Sequence, residues 1–179
     1  ILGLNDVTHL GFYTISMLSN IPNLVYLAPT CKEEYFAMLD WSIEQNEFPV
    51  AIRVPCNGVI SSEKEVERDY SNLNKFKVEE KGNKVAIIAL GDFFEIGRSV
   101  LKGLKEELGI SATLINPRYI TGLDEECLED LKQNHDIVIT LEDGMLEGGF
   151  GEKIASFYGT SDMKVKNYGI KKAFYDRYD

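Results

Sequence analysis

The chain has 179 residues, 44% of them hydrophobic and 27% charged, with 29 acidic against 19 basic side chains and a net charge of −10. This is the composition of one or two globular domains with real cores and not of a disordered chain; the acidic excess excludes nucleic acid or an anionic membrane as partner, because both select clustered Lys and Arg. No stretch reaches the ~20 apolar residues of a membrane helix, and Cys31, Cys56 and Cys127 lack CxxC spacing, which reads as reduced thiols in a cytoplasmic protein.

The opening Ile1 to Asp6 carries no initiator Met and no signal-peptide pattern, and reads as the interior of a domain. His9 to Leu18 is expected as a short helix or ordered turn ending at Ser19-Asn20-Ile21-Pro22, and Leu24 to Leu27 as a strand stopped by Pro29. Thr30-Cys31-Lys32-Glu33 has the form of a capping box, with Glu33 reaching back to Thr30. Behind it Tyr35, Phe36, Leu39 and Ile43 recur at helical spacing, predicting a helix from about Cys31 to Gln45 with that face inward. Pro49 to Val54 is a second strand, closed by Pro55.

From Cys56 to Asn83 the charges are dense and no period is sustained, so the stretch is expected as a linker with a solvated surface. Alternation around Phe76 and Val78 marks one edge strand within it. A regular pattern follows. Val85 to Leu90 is a continuous apolar run of the kind covered on both faces in a parallel sheet. Gly91-Asp92 leads into a helix carrying Phe93, Gly97, Val100, Leu101, Leu104 and Leu108, stopped by Gly109. Ala112 to Ile115 is a strand, and Leu123 to Leu131 a helix on the acidic turn Asp124-Glu125-Glu126. Ile137 to Leu141 is a strand, Gly148 to Gly151 opens a third helix, and Val165 to Tyr168 is the last strand. Strands alternating with helices predict an α/β fold, a mostly parallel sheet with helices on both faces. The two strands and helix of the first half are too few to close a sheet layer.

Four places carry candidate chemistry. His9, after Thr8, reads as a capping residue or an acid–base group, and Asp6 as an N-cap or its neighbour in a site. Arg53 falls near the C-terminal end of a strand, where ligands of open α/β sheets collect; its five-donor fork suits a phosphate or an ion pair with one of the many carboxylates. Glu142-Asp143-Gly144 followed by Gly148-Gly149-Phe150-Gly151 is neither a GxGxxG nor a P-loop, and its paired carboxylates repel anions, so a tight turn is the favoured reading. His135 is expected to cap a helix C-terminus, and no metal motif is present.

In order along the chain, these segments resemble the transketolase family and, within it, the deoxyxylulose phosphate synthases. Gly3-Leu4-Asn5-Asp6-Val7-Thr8-His9-Leu10-Gly11 is similar to the family's Gly-x-Asp-Gly-Pro-Thr-His-Gln-Gly, and Asn20 to Pro29 to its Ile-Pro-Asn, strand, Ala-Pro continuation. Ala51 to Pro55 resembles Ala-Val-Arg-Tyr-Pro, and Asn116 to Asp124 resembles Arg-Phe-x-Lys-Pro-Leu-Asp. Thr140 to Gly144 with Gly148 to Gly151 resembles Thr-Val-Glu-Glu-Gly and its following glycines.

The resemblance implies that residues 1–55 are the C-terminal part of a thiamine pyrimidine-binding domain, 56–83 a linker, and 84–179 the transketolase C-terminal domain. It implies a thiamine diphosphate- and Mg²⁺-dependent transferase whose cofactor is held mainly by segments not in this chain, so that the chain alone is inactive. The implied reaction joins pyruvate to glyceraldehyde 3-phosphate with loss of CO₂, feeding isoprenoid precursors. Ketose phosphate two-carbon transfer, or a non-catalytic assembly module like the β subunit of a 2-oxoacid dehydrogenase decarboxylase, are the alternatives. Implied partners are sugar phosphate and 2-oxoacid substrates and a second copy of the chain or the missing N-terminal domains. By the same resemblance His9 is catalytic, set against the substrate oxygens, while Asn5, Asp6 and Arg53 bind substrate, Arg53 through the acceptor's phosphate. At Asn5 the family carries Asp; the amide keeps hydrogen-bonding reach and gives up the charge.

Overall fold

The computed structural model describes residues 11–55, 58–173 and 175. It contains two sheets. The first pairs β1 (Val25–Leu27) with β2 (Val50–Ile52) in parallel, with α1 (Thr14–Leu18) before them and α2 (Lys32–Glu44) between them. The second has five strands in the order β3-β5-β4-β6-β7, formed by β3 (Lys77–Glu80), β4 (Lys84–Ala89), β5 (Thr113–Asn116), β6 (His135–Met145) and β7 (Lys164–Ile170). Only β3 runs antiparallel, at the edge beside β5. A 3-10 turn over Gly91–Phe93 leads into α3 (Phe94–Leu108), and α4 (Glu125–Leu131) and α5 (Phe150–Tyr158) complete the helices of the described residues.

The apolar run in β4 is buried on both faces because helices cover both. Val85, Ile87 and Ala89 face α3 through Phe94, Val100, Leu101 and Leu104. Ala86 and Ile88 face the opposite way, into a core with Leu128, Leu131, Phe150, Ile154 and Tyr158 of α4 and α5. The two-residue alternation of a strand thus divides one hydrophobic run between two cores. Gly97 lets α3 lie close on the sheet, since a Cβ there would sit 2.7 Å from that of Ala89. Gly109 ends the helix at φ 66°, the left-handed conformation that favours glycine.

Two local expectations are corrected. The capping carboxylate of α2 is Glu34, not Glu33: it accepts from the Thr30 backbone N at 2.7 Å and from Thr30 Oγ1 at 2.9 Å. Glu33 instead turns to Ser61 and to Ser62, whose backbone N donates at 2.9 Å. The buried face of α2 is Glu34, Ala37, Met38 and Trp41, while Phe36 and Ile43 are exposed. The helix is apolar on more than one side, and a two-stranded sheet covers only one of them. The charges after Cys56 are solvated as expected, Glu63, Lys64, Glu65, Glu67, Arg68 and Asp69 all being exposed, while apolar residues among them turn inward. Tyr70 is 1% exposed and packs with Val66 and Leu73 against Trp41 and Tyr119.

The same stretch is tied down by a buried cation. Arg118, at φ 60°, donates from Nε and Nη2 to the Lys75 carbonyl at 3.1 and 2.6 Å, pairs with Glu67, and lies over the rings of Tyr70 and Tyr119. The backbone beside it joins the two sheets: Ala28 N donates to the Arg118 carbonyl and Ile120 N to that of Tyr26.

Candidate functional site

The strand order places a crevice. From β4 the chain moves to β5 on one side, then crosses back to β6 on the other, so β4 and β6 are neighbours followed by helices on opposite faces. Ligands of open α/β sheets enter at such a switch point, outside the carboxyl ends of the strands. Register puts Ala89 of β4 opposite Leu141 of β6. The residues just beyond are Asp92 in the turn after β4 and Glu142-Asp143 on β6, and Arg53 arrives here from the end of β2, its backbone N bonded to the Leu27 carbonyl at 2.8 Å.

Arg53 and Asp143 meet across the two sheets. Nε donates to Oδ1 and Oδ2 of Asp143 at 2.9 and 3.0 Å, and Nη2 donates to Oδ2 at 2.7 Å and to the Asp143 carbonyl at 3.4 Å. Nη1 donates to Thr14 Oγ1 at 2.7 Å and to the Gly11 carbonyl at 3.3 Å. All three guanidinium nitrogens are therefore engaged. Burial alone would lower the guanidinium's proton affinity, but the hydrogen bond and charge of Asp143 outweigh it and hold the group above the usual arginine value. Asp92 is an exposed residue, and its carboxyl is pushed up to about 6 by partial desolvation and by the Asp143 charge, against the opposing pull of Arg53.

Glu142, the other member of the acidic pair, points into the protein and is fully buried. It accepts from the backbone N of Phe150 at 2.9 Å and of Gly151 at 2.8 Å, filling the N-terminus of α5 with the chain's own carboxylate. Desolvation raises its pKa, and the two N–H donors oppose that shift. The glycines serve this approach. A Cβ at Gly149 would lie 2.7 Å from Glu142 Oε2, and one at Gly151 would strike Thr140 Oγ1. The turn expected over this segment is confined to Glu147-Gly148, since Glu142, Asp143 and Gly144 lie within β6; the anion site ahead of α5 is already taken by Glu142.

His135 caps α4 as its sequence position implied. Its Nδ1 lies 3.0 Å from the Leu131 carbonyl and must carry the proton to donate there, leaving Nε2 to accept from Thr113 Oγ1 at 2.8 Å. Of the residues singled out from sequence, Arg53 is placed at the crevice, while Asn5, Asp6 and His9 lie outside the described residues. Gly11, two positions after His9, accepts from Arg53. Asp143 was weighed only as half of a carboxylate pair in a turn, and Asp92 and Thr14 were not singled out as site residues. The readable signal for Asp92 was its position directly after an apolar parallel strand.

Among the described residues no group of three or more His, Cys, Asp or Glu could hold a metal ion. With the glycine-rich N-terminus of α5 filled by Glu142, the described residues do not fit a diphosphate or its cation. A shallow pocket elsewhere, between Thr30, Glu34, Ser62, Lys64 and Arg98, is lined by opposed charges, and its buried carboxylate is spent on Thr30 and Asn116. No described helix is long and apolar enough to cross a membrane.

Residues 74–179 match the family model described as transketolase, C-terminal domain. Among curated proteins, the 1-deoxy-D-xylulose-5-phosphate synthase of Clostridium tetani is 35% identical over 176 residues, covering 97% of this chain and 28% of that protein. That of Alkaliphilus oremlandii is 40% identical over 154 residues, 84% of this chain and 24% of the relative. The chain thus spans under a third of the length of these relatives. Among solved structures, a split-gene transketolase described as an inactive β4 tetramer superposes with a TM-score of 0.78 at 24% identity, over 94% of this chain and 55% of the other. A Pichia stipitis transketolase in complex with sedoheptulose 7-phosphate superposes at 0.69 with 19% identity, over 96% and 24%. At these identities the structures establish the fold.

Proposed function

This chain belongs to the transketolase family, and from that premise we propose that it is the part of a 1-deoxy-D-xylulose-5-phosphate synthase that receives the phosphorylated acceptor. In this reading residues 1–55 end a pyrimidine-binding domain, 56–83 connect, and 84–179 form the C-terminal domain. The whole protein, cytoplasmic and homodimeric, joins pyruvate to glyceraldehyde 3-phosphate with release of CO₂. Family members use thiamine diphosphate, which supplies the carbanion chemistry when bound; its binding residues and those for Mg²⁺ belong to other segments.

The observation that carries the proposal is the similarity to proteins of that name along 97% of the chain. The placement of Arg53 supports it: an always-charged fork at the carboxyl ends of parallel strands, in a protein too acidic to gather phosphate by its overall field. In this reading Arg53 reads the acceptor phosphate. His9 donates to the oxygen that gains charge as the new bond forms, and Asn5 and Asp6 orient the same substrate.

A second reading, a separate subunit of a two-chain enzyme, is favoured by the fold shared with a split-gene transketolase chain. Steady-state turnover of the assembled enzyme with pyruvate and with ketose phosphates as donors tests the proposal. Pyruvate-dependent CO₂ release supports it, and two-carbon transfer from a ketose phosphate without CO₂ overturns it.

A further inference from the structure

Arg53 cannot read an anion in the state described, because its partners already occupy it. Nε and Nη2 hold Asp143, and Nη1 holds Thr14 and Gly11. The two carboxylate oxygens of Asp143 sit where two phosphate oxygens would. We propose that Asp143 is a specificity-determining gate on Arg53: its carboxylate occupies the fork, yields to a phosphate group, and excludes free carboxylates. The inference rests on the reading of Arg53 as an anion-binding residue.

Three observations point to Asp143 as the partner that yields. Arg53 is fixed from behind, by its backbone bond to Leu27 and by Nη1 on Thr14, whose Oγ1 in turn donates to the Gly11 carbonyl at 2.7 Å. Asp143 is the more exposed partner, 23% against 11% at the side chain. It also stands where the β6 ladder is irregular: pairing with β4 ends at Leu141, and the register with β7 shifts between Leu141 and Met145. The arginine is held by its own sheet, while the aspartate lies on an interrupted strand at the switch point.

Selectivity follows from the competition. A free carboxylate offers Arg53 the same two oxygens and single charge that Asp143 offers. Asp143 is tethered, with the effective-concentration advantage of an intramolecular partner, so the free carboxylate loses. A phosphate dianion brings a third oxygen and a second charge and can displace it. The gate therefore keeps the fork from a 2-oxoacid's carboxylate and leaves it to a phosphorylated aldehyde. Atoms are conserved throughout, as only hydrogen-bond partners exchange.

The test titrates the 179-residue chain with inorganic sulfate, a dianion that does not titrate near neutral pH, and with acetate. The side-chain Nε–H resonance of Arg53 and the Asp143 carboxyl carbon are followed by NMR. Asp143→Asn should bind sulfate about tenfold tighter than wild type, equivalent to about 1.4 kcal/mol, and should gain acetate binding that wild type lacks; Arg53→Gln should abolish both. If Asp143→Asn binds sulfate no tighter while Arg53→Gln still abolishes binding, the gate is wrong and the reading of Arg53 stands. If Arg53→Gln binds as wild type does, the reading of Arg53 fails and the gate with it. Should Asp143→Asn not fold, the wild-type chain decides: saturating sulfate must move the Asp143 carbon, and an unmoved resonance overturns the gate.

Discussion

Arg53 and Asp143, 90 positions apart, are joined at two points, Nε to Oδ1 at 2.9 Å and Nη2 to Oδ2 at 2.7 Å, and so fasten the β1–β2 sheet to the five-stranded one. With side chains 11% and 23% exposed, the pair lies between a surface bridge, worth little, and a fully buried one, in which a lone survivor is costly. A double-mutant cycle of Arg53→Ala and Asp143→Ala, followed by urea unfolding, should give a coupling energy of about 1.5–3 kcal/mol. A coupling below about 0.5 kcal/mol would mean that the contact is incidental.

Glu142 is the second carboxylate with a defined duty. Glu142→Ala leaves the N–H groups of Phe150 and Gly151 without their acceptor in a buried place and opens a cavity. The expected loss is about 2–4 kcal/mol. Glu142→Gln keeps one oxygen and should lose less. Equal unfolding midpoints for the alanine variant and wild type would contradict the capping role.

Two glycines make an internal comparison. A Cβ at Gly151 would lie 2.9 Å from Asn167 Cγ and strike Thr140 Oγ1, whereas at Gly103, in the middle of α3, nothing lies within 4 Å. Gly151→Ala should destabilise by about 1–3 kcal/mol through overpacking. Gly103→Ala should stabilise by about 0.5–1 kcal/mol, the helix preference for alanine. Thermal melts that rank the two the other way would overturn the packing described for α5.

The pH dependence has a predicted sign. The Asp92 carboxyl is raised from 3.8 to about 6, so between those values the folded chain keeps a proton that the unfolded chain has released. Its contribution to stability is fully present below about 3.8 and is lost as pH rises through about 6. Subtracting the pH–stability curve of Asp92→Asn from that of wild type should isolate this fall. A difference that stays level across the window removes Asp92 from the charge cluster.

Much of this was legible in the sequence for stated reasons. The run from Val85 to Leu90 declared a doubly covered strand because its neighbours are parallel, and Gly109 declared a helix stop because only glycine adopts φ 66° readily. What escaped was long-range. Nothing near Thr30 says that Glu34 and not Glu33 turns back, since that depends on Asn116, 82 residues on, donating to Glu34. The inward face of α2 was misread because Phe36 and Ile43 are as apolar as Met38 and Trp41, and only the sheet decides between them. Arg53 was recognisable as a candidate from its strand end, but its partner was not, because Asp143 reaches it only after β6 has crossed back beside β4.

The most direct test of the account is the acceptor kinetics of Arg53→Lys and Arg53→Ala in the assembled enzyme. Lysine keeps the charge and loses the fork. Loss of a charged two-point contact is worth about 1.5–3 kcal/mol, or roughly 10- to 150-fold in kcat/KM. The account predicts that loss as a raised KM for glyceraldehyde 3-phosphate, with the unphosphorylated aldehyde and the pyruvate donor nearly unaffected. Equal weakening of phosphorylated and unphosphorylated acceptors would contradict it and leave Arg53 as a structural partner of Asp143.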